Sequence, residues 1–357
     1  EIGAAADTDA SFTESVYSNE RGDIIEFTVD LTNADEADVA IGEDAGQEDV
    51  GFGANFTVVD ADDGDDDDDG QVTVQLNTRD TTTSPTAADD GDEINGYADT
   101  VETTEVLDVG AYDINVSASG EEDDVATLNL NELSAESFSL YTAPDVDAIS
   151  DAEDISEIES FKQAGNFSES SRIAFGDFLY HEVQASGLGG MFTSTSESDD
   201  ADALVRTLTD NEFALDLSII ETDASKSANT DGKELINTFD HGNSGSADEA
   251  ELDALSNDVD TFHVIADGAN DTYYIGFPID AGDNVDSGQP LEFEDEDEYE
   301  VTLNITANGR ELVDENVSLT QTFSVEERDV QLDSTTEDAD GSDLIEVEAA
   351  SGGTITG

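Results

Sequence analysis

The sequence predicts an all-β fold of tandem immunoglobulin-like antiparallel β-sandwiches with one short helical linker. Three observations lead to this prediction. Apolar and polar residues alternate with a period of two in many short segments, Gly/Asp/Asn/Thr-rich loops separate these segments, and no helical period is sustained. Such alternation is typical of half-buried strands, and short strands with polar loops are typical of antiparallel sandwiches.

The first predicted sandwich occupies residues 1–143. Its strands are expected at the alternating segments 25–31, 56–58, 72–76 and 112–116. The acidic segment 144–165 follows as a linker. Ile149, Ile155, Ile158 and Phe161 have partial helical spacing there, so we expect one short helix.

The second predicted sandwich occupies residues 166–332 and carries a polar insertion near 193–260. Its strands are expected at 213–219 and 299–305, with a hairpin of 262–264 and 273–277 across the turn 267–271 and a closing strand at 323–332. Residues 333–357 form a polar linker and one further apolar run, the lone strand 343–355. A lone strand is not stable by itself, so it pairs with something outside the two sandwiches such as a neighbouring subunit, begins another domain, or stays loose.

Two local signatures recur in the same order in both blocks. Gly22-Asp23 leads into the first strong strand, and Gly176-Asp177 does the same in the second block. Tyr112 and Tyr299 each begin a late strand, which is typical of the tyrosine corner of immunoglobulin-like domains. The hydroxyl of such a tyrosine bonds the backbone a few residues upstream.

The charge is extreme and of one sign. The chain has 357 residues, 92 of them acidic and 9 basic, for a formal net charge of −83. Such a surface repels nucleic acid and anionic membranes, which excludes both as electrostatic partners. The screening length falls from ~10 Å at about 0.1 M salt to ~3 Å at about 1 M, so the chain is suited to a hypersaline solvent. There is no Cys for disulfides or thiolate sites and no apolar run long enough for a transmembrane segment.

Several stretches resemble the haloarchaeal surface glycoproteins of S-layer type. They are residues 12–17, 20–23, 39–42, 55–58, 72–78, 175–177, 185–188 and 270–274. The resemblance covers most of residues 10–330. It implies an exported, N-glycosylated protein built from strings of immunoglobulin-like domains. This sequence shows no leader, Thr-rich stalk or C-terminal anchor, so it is either a region of a longer protein or a subunit that assembles differently.

Six Asn-x-Ser/Thr sequons are candidate sites for N-linked glycans. They are Asn55, Asn115, Asn166, Asn270, Asn304 and Asn316. Strand alternation places most of them on polar faces, where a glycosyltransferase can reach them. Asn and Thr also populate such faces without modification, so the pattern alone leaves both interpretations open.

The run 60–70 contains carboxylates at alternate positions of a Gly-bearing turn. Asp65, Asp67 and Asp69 are candidate ligands for Ca²⁺ or Mg²⁺, which prefer several oxygen ligands. An acidic run is more often a solvated loop. The histidines His181, His241 and His263 share no ligand spacing and are expected at the surface, His181 and His263 on strand faces.

These observations favour a non-enzymatic, extracellular structural protein of the archaeal cell surface that self-assembles as a homo-oligomer into a layer or filament. Strand donation by residues 343–355 is one route to head-to-tail assembly. The alternative is an adhesin or carbohydrate-binding surface module, since one of Tyr273 and Tyr274 is expected to point outward. A third possibility is a hydrolase whose site lies in the insertion 223–260.

Overall fold

The computed structural model describes a β-rich protein with a few short helices. The described residues are 8–60, 70–89, 91–101, 106–144, 149, 152, 154–192, 200–209, 215–222, 234–237, 263–279, 293–305, 312–313, 315–327, 336–337 and 343–344. None of the helices in these ranges is long and apolar enough to cross a membrane.

The first half of the chain forms two sheets, which we call the N-terminal sheet pair. Its strands are β1 (Asp9–Phe12), β2 (Val16–Glu20), β3 (Ile24–Thr32), β4 (Glu36–Gly42), β5 (Gly53–Val59), β6 (Gln71–Asn77), β7 (Thr86–Ala87), β8 (Glu93–Val101), β9 (Gly110–Ser117) and β10 (Asp124–Asn131). The strand orders are β1-β3-β6-β7 and β2-β10-β9-β4-β5-β8. The inward residues of both sheets, such as Phe27, Val74, Phe56 and Ile114, share one hydrophobic core.

The second half forms the C-terminal sheet pair. Its elements are β11 (Ala135–Pro144), α1 (Ile155–Ala164), β12 (Ser168–Glu169), β13 (Arg172–Ala174), β14 (Asp177–Ala185), α2 (Gly189–Phe192), α3 (Asp200–Thr209), β15 (Leu215–Glu221), β16 (Glu234–Asn237), β17 (His263–Asp267), β18 (Thr272–Pro278), β19 (Glu298–Ile305) and β20 (Val317–Glu326). The strand orders are β12-β11-β14-β18-β17 and β13-β20-β19-β15-β16. These two sheets enclose a second core.

The two sheet pairs repeat one arrangement. In each, an early strand pairs antiparallel with the first long strand, β1 with β3 and β11 with β14. The next short strand crosses to the opposite sheet and pairs parallel with the last strand, β2 with β10 and β13 with β20.

The predicted strands and the hairpin of β17 and β18 are confirmed where residues are described. The closing strand β20 begins earlier than predicted, and residues 328–332 lie outside the described residues.

Both predicted tyrosine bonds are present. The Tyr112 hydroxyl donates to the carbonyl of Asp108 at 2.9 Å, and the Tyr299 hydroxyl accepts from the amide of Glu294 at 2.8 Å. Burial raises the pKa of both tyrosines to about 12. Each hydroxyl therefore stays protonated and ties the start of its strand to the preceding loop.

The strand β11 lies in the C-terminal sheet pair, although the sequence analysis assigned residues up to 143 to the first domain. It pairs with β14 over its length, and Phe138 and Leu140 enter the second core. Only three residues, 132–134, therefore separate the last strand of the first pair from the first strand of the second.

The expectation that Tyr273 or Tyr274 is exposed on the outer face of the sheet is wrong. The side chains do alternate, with Tyr273 in the core between the sheets and Tyr274 on the opposite face. The predicted helix, α1, covers that opposite face and buries Tyr274. Both tyrosines are 1% exposed.

The segment 333–357 is described at only four positions. Thr336–Glu337 (β21) and Asp343–Leu344 (β22) pair antiparallel as a small hairpin. The start of the predicted lone strand therefore has a partner within its own chain. The rest of that strand lies outside the described residues.

Candidate functional site

The two sheet pairs meet at a buried joint. One side is the corner Arg21-Gly22-Asp23 between β2 and β3, and the other is the turn Gly187–Gly190 after β14. The amide of Gly187 donates to Asp23 Oδ2 at 2.6 Å, and the amide of Gly189 donates to Asp23 Oδ1 at 2.7 Å. Hydrogen bonds to a charged acceptor are the stronger kind, so one carboxylate holds both amides of the turn.

Further bonds cross the joint on either side of Asp23. The amide of Gly190 donates to the carbonyl of Gly22 at 2.9 Å, and Asn77 Nδ2 donates to the carbonyl of Gly190 at 2.7 Å. Arg21 Nε donates to the carbonyl of Leu312 at 2.7 Å. In the first pair the bonding groups come from the corner and from β6, and in the second pair they come from the turn and from Leu312.

Glycine is required where the two backbones touch. Gly22 has φ +94°, and a Cβ there would lie 2.2 Å from the carbonyl oxygen of Gly187. Gly187 has φ +82°, and its Cβ would lie 2.7 Å from the carbonyl oxygen of Arg21. Both positions combine a left-handed backbone with a contact that no side chain can fit. The sheet pairs therefore approach as closely as their main chains allow.

The joint buries charge of both signs. Burial raises the pKa of Asp23 to about 6, the bonds from Gly187 and Gly189 oppose the rise, and the negative charges of Asp271 and Glu20 add to it. Arg21 and Arg79 are also buried here, although the chain has only 9 basic residues. Scarce positive charge is thus placed where two acid-coated bodies must touch.

A cleft of about 520 Å³ opens beside the joint. The N-terminal sheet pair lines it with Asn19, Glu26 and Gln75, and the C-terminal pair with residues including Phe192 and Asp200. The lining is polar and acidic, which suits water and hydrated cations. Within the described part of the chain, no group of three or more His, Asp or Glu side chains is arranged to hold a metal ion.

A second polar cluster fastens α1 to the outer face of β14 and β18. Lys162 Nζ bonds Glu182 and the Tyr274 hydroxyl and lies 4.6 Å from the centre of the Tyr141 ring. Burial alone lowers the pKa of Lys162, but the bonds to Glu182 and Tyr274 outweigh it and the net shift is upward. The lysine therefore stays charged, as a structural ion pair requires.

The prediction that the histidines lie at the surface is wrong for His181. Its side chain is 2% exposed and lies between the rings of Phe138 and Phe277, and burial lowers its pKa to about 4. The strand β14 is covered on both faces, by the core and by α1, so its polar positions are buried as well. His263 is half-buried, and its ring nitrogens bond Tyr180 and the carbonyl of Ala152. His241 lies outside the described residues.

The six sequons divide into two groups by exposure. Asn166, Asn270 and Asn316 are exposed, at the end of α1, in the β17–β18 turn and just before β20. Asn55, Asn115 and Asn304 are half-buried on strand faces. Asn55 and Asn115 both pair with Ala40 from opposite sides, which places them about 10 Å apart on one face. The candidate metal ligands Asp65, Asp67 and Asp69 lie outside the described residues.

The joint could not be recognised from the sequence. Gly22-Asp23 was visible in the sequence as a repeated signature that leads into a strand, and this placement is correct. Its contact with the turn Gly187–Gly190 was not visible, because 164 residues separate Asp23 from Gly187. The signals in the sequence were the repeated Gly-Asp step and the separate cluster of Gly187, Gly189 and Gly190.

Comparisons with known proteins identify relatives of this chain. A family model described as a domain of unknown function, DUF7827, matches residues 2–119. The chain is 29% identical over 343 residues to a cell surface glycoprotein of Haloferax gibbonsii, with 93% of this chain and 35% of that protein aligned. It is 30% identical over 376 residues to cell surface glycoprotein 1 of Haloarcula hispanica and 29% identical over 379 residues to cell surface glycoprotein 2 of the same organism. These two alignments include 100% of this chain and 38% of each relative, so the chain spans little more than a third of their length.

Proposed function

Because the chain is a distant homologue of haloarchaeal cell surface glycoproteins along almost its whole length, we propose that it is a non-enzymatic structural protein of the archaeal cell surface. Many copies of this chain assemble with one another into an extracellular S-layer or filament. The whole-length similarity to three such glycoproteins is the observation that carries this proposal.

The physical chemistry of the chain supports a mechanical role in brine. Each sheet pair has its own core, and the net charge of −83 leaves a surface that retains water and cations. At molar salt the screening length is ~3 Å, so neighbouring copies can approach without strong repulsion. The joint adds stiffness between the two modules, which a load-bearing layer needs.

We propose that both modules are immunoglobulin-like sandwiches. The support is the strand order, in which an early strand divides between two sheets and its second part pairs parallel with the last strand. The bonded tyrosines at the start of β9 and β19 fit the same fold. The domain division into 1–143 and 166–332 remains a prediction, with β11 bonded to the second module.

We propose N-glycosylation at the sequons, first at the exposed Asn166, Asn270 and Asn316. Exposure alone sets this order, because the side-chain amides of both Asn55 and Asn270 donate to an aspartate, to Asp44 at 3.0 Å and to Asp267 at 2.7 Å. Mass spectrometry of peptides from the native protein, with and without deglycosylation, measures occupancy at each site. Occupancy at Asn55 but at none of the exposed sites would contradict this order.

Assembly contacts are proposed to use cations and the C-terminal segment. Ca²⁺ or Mg²⁺ at Asp65, Asp67 and Asp69 would bridge acidic surfaces, and residues 343–355 would either donate a strand to a neighbour or begin another domain. Calorimetry in concentrated salt tests the first idea, because alanine at the three aspartates must remove any Ca²⁺-dependent stabilisation. Deleting 343–357 tests the second, since filaments that still form would exclude strand donation.

Electron microscopy of the producing cells tests the surface role. Gold-labelled antibodies against this chain are expected on the outside of intact cells, on a periodic layer or on filaments. Labelling confined to the cytoplasm would overturn the proposal. The carbohydrate-binding alternative has lost its supporting residues, because Tyr273 and Tyr274 are both buried.

A further inference from the structure

The strand β20 is covered along only part of one side. On its first side it pairs with β19 over Val317–Ser324. On its second side it pairs with the short strand β13, which covers only Ser324–Glu326. Residues 317–323, which we call the open edge, therefore have no strand on that second side among the described residues.

The N-terminal sheet pair closes most of the equivalent edge. Asn131 and Glu326 correspond, because each ends the last strand of its sheet pair and accepts a main-chain bond from the residue before the Gly-Asp step. In the first pair, β2 covers β10 far enough that only residues 124–126 lie beyond it. In the second pair, β13 is shorter and β20 begins earlier, which leaves the longer open edge.

The main chain of the open edge presents donors and acceptors. The amide of Ser324 donates to the carbonyl of Ser171, just before β13, at 2.8 Å. Because the direction of main-chain bonding alternates along a strand, the amides and carbonyls of Ser318, Thr320 and Thr322 face the same side. None of these three residues forms a main-chain hydrogen bond on that side with a described residue.

The open edge also lacks the features that usually protect an edge strand. Such strands carry charged side chains, proline or a bulge, because an unpaired row of amides and carbonyls recruits another strand. The open edge has no proline and no charged residue, in a chain of which 28% is charged, and its pairing with β19 has no register shift. Gln321 holds the strand in place, since its side-chain amide donates to the carbonyl of Phe138 at 2.7 Å.

A second copy of the same edge fits this surface. With a net charge of −83, most surfaces of two copies repel each other, but the open edge brings no carboxylate to the contact. In an antiparallel pair with a two-fold axis at Thr320, this residue faces its counterpart and Ser318 faces Thr322 of the other copy. All three residues then exchange both main-chain groups, and their hydroxyls form cross-strand pairs of the kind that stabilise sheets.

We propose that two copies of this chain join through β20, edge to edge and antiparallel, so that one sheet runs through both copies. In this register Val317, the first residue of β20, faces Phe323 of the other copy, so the partner strand ends where β13 begins. The contact is the same patch on both copies, as a two-fold interface requires. The proposal rests on the proposed self-assembly and identifies one of its contacts.

Disulfide trapping tests both the contact and its register. The chain has no Cys, so Thr320→Cys introduces a single thiol at the proposed axis. Facing residues of a hydrogen-bonded antiparallel pair have Cα atoms about 5.5 Å apart, which is within the usual range for a disulfide. Thr322→Cys is the matched control on the same exposed edge. At a rise of ~3.4 Å per residue, its Cα would lie about 14 Å from its own counterpart, which is too far.

In oxidising brine, we expect the purified full chain with Thr320→Cys to become mostly disulfide-linked dimer and that with Thr322→Cys to stay monomeric. Non-reducing electrophoresis measures the dimer fraction. A mixture of Ser318→Cys and Thr322→Cys chains should cross-link, although neither does so alone. Monomeric Thr320→Cys, or equal cross-linking of Thr320→Cys and Thr322→Cys, overturns the proposal. So does a Thr320→Cys chain that cross-links only after deletion of 343–357, because a C-terminal segment then fills the edge.

The two proposals can fail separately. A labelled surface layer on cells together with monomeric Thr320→Cys would overturn this contact and leave the surface role in place. Labelling confined to the cytoplasm together with cross-linked Thr320→Cys would overturn the surface role and leave this contact in place.

Discussion

Replacing Gly22 by alanine is expected to separate the two sheet pairs. The new Cβ would lie 2.2 Å from the carbonyl oxygen of Gly187 and 2.7 Å from a methyl group of Leu312. The first contact is with main chain, which cannot rotate away as a side chain can. The corner must therefore move back from the turn by about the missing 1 Å, since a carbon needs roughly 3.3 Å from an oxygen.

That movement weakens four hydrogen bonds that cross the joint. The two amide bonds to Asp23 contribute roughly 1.5 kcal/mol each at the low end for a charged acceptor, and the Gly190–Gly22 and Asn77–Gly190 bonds about 1 kcal/mol each. Complete loss would cost about 5 kcal/mol, and we expect at least half of it. The left-handed backbone adds about 1–2 kcal/mol of strain.

Gly176→Ala is the matched control for this variant. It has the same position in the repeated corner and a similar φ, but its Cβ meets open space. Gly176→Ala should therefore lose only the roughly 1–2 kcal/mol of stability that a left-handed backbone costs an alanine. Urea unfolding in concentrated salt measures both variants, and small-angle scattering reports whether Gly22→Ala lengthens the molecule. Equal losses of stability in the two variants would refute the joint as a tightly packed interface.

Four further predictions follow from the buried groups and the charge. The pKa of Asp23 is raised from 3.8 to about 6, so the stability that its protonated form contributes is full below about pH 4 and is lost as the pH rises through 6. Asp23→Asn should remove this pH-dependent part of the unfolding free energy, about 3 kcal/mol. Parallel curves of stability against pH for the two proteins would contradict this. The pKa of His181 is lowered from 6.5 to about 4, so the stability that its neutral form contributes is full above pH 6.5 and is lost towards pH 4. His181→Phe should therefore lose less stability on acidification than the parent protein does. The same dependence of stability on pH in both proteins would count against the burial of His181. Glu182→Gln removes the carboxylate charge that pairs with the half-buried Lys162 and should cost about 3 kcal/mol in urea unfolding, whereas Glu326→Gln in an exposed ion pair should change little. The reverse order would be incompatible with the cluster under α1. Dilution from about 1 M to about 0.01 M salt lengthens the screening length from ~3 to ~30 Å, so the acidic side chains repel one another and the protein should unfold. Circular dichroism measures this. An unchanged β spectrum at low salt would argue against a brine-dependent fold.

Alternation in the sequence was enough to predict a β-rich fold and the main strands. Segments such as 25–31 and 299–305 have one buried face and one face towards solvent, so apolar and polar residues alternate along them. Strand β14 is different, because both of its faces are covered. Its residues Tyr180, His181 and Glu182 are all buried, and no alternation marks them.

The joint required information that no local pattern contains. Gly22-Asp23 and the glycines at 187–190 are each consistent with ordinary turns, and only the path of β11 back to β14 brings them together. The repeat of the Gly-Asp step was visible in the sequence. Its meaning as an interface depends on which copy is buried, which only the structure provides.

The central claim is that two acid-coated sheet pairs form one rigid body through the joint, and a distance between them tests it most directly. The chain has no Cys, and Val125 and Gln163 are exposed positions on the first and second sheet pairs. Spin labels at Val125→Cys and Gln163→Cys should give one narrow distance distribution in brine, which Gly22→Ala broadens. A distribution that is already broad without Gly22→Ala would mean that the sheet pairs move independently, and it would contradict the claim.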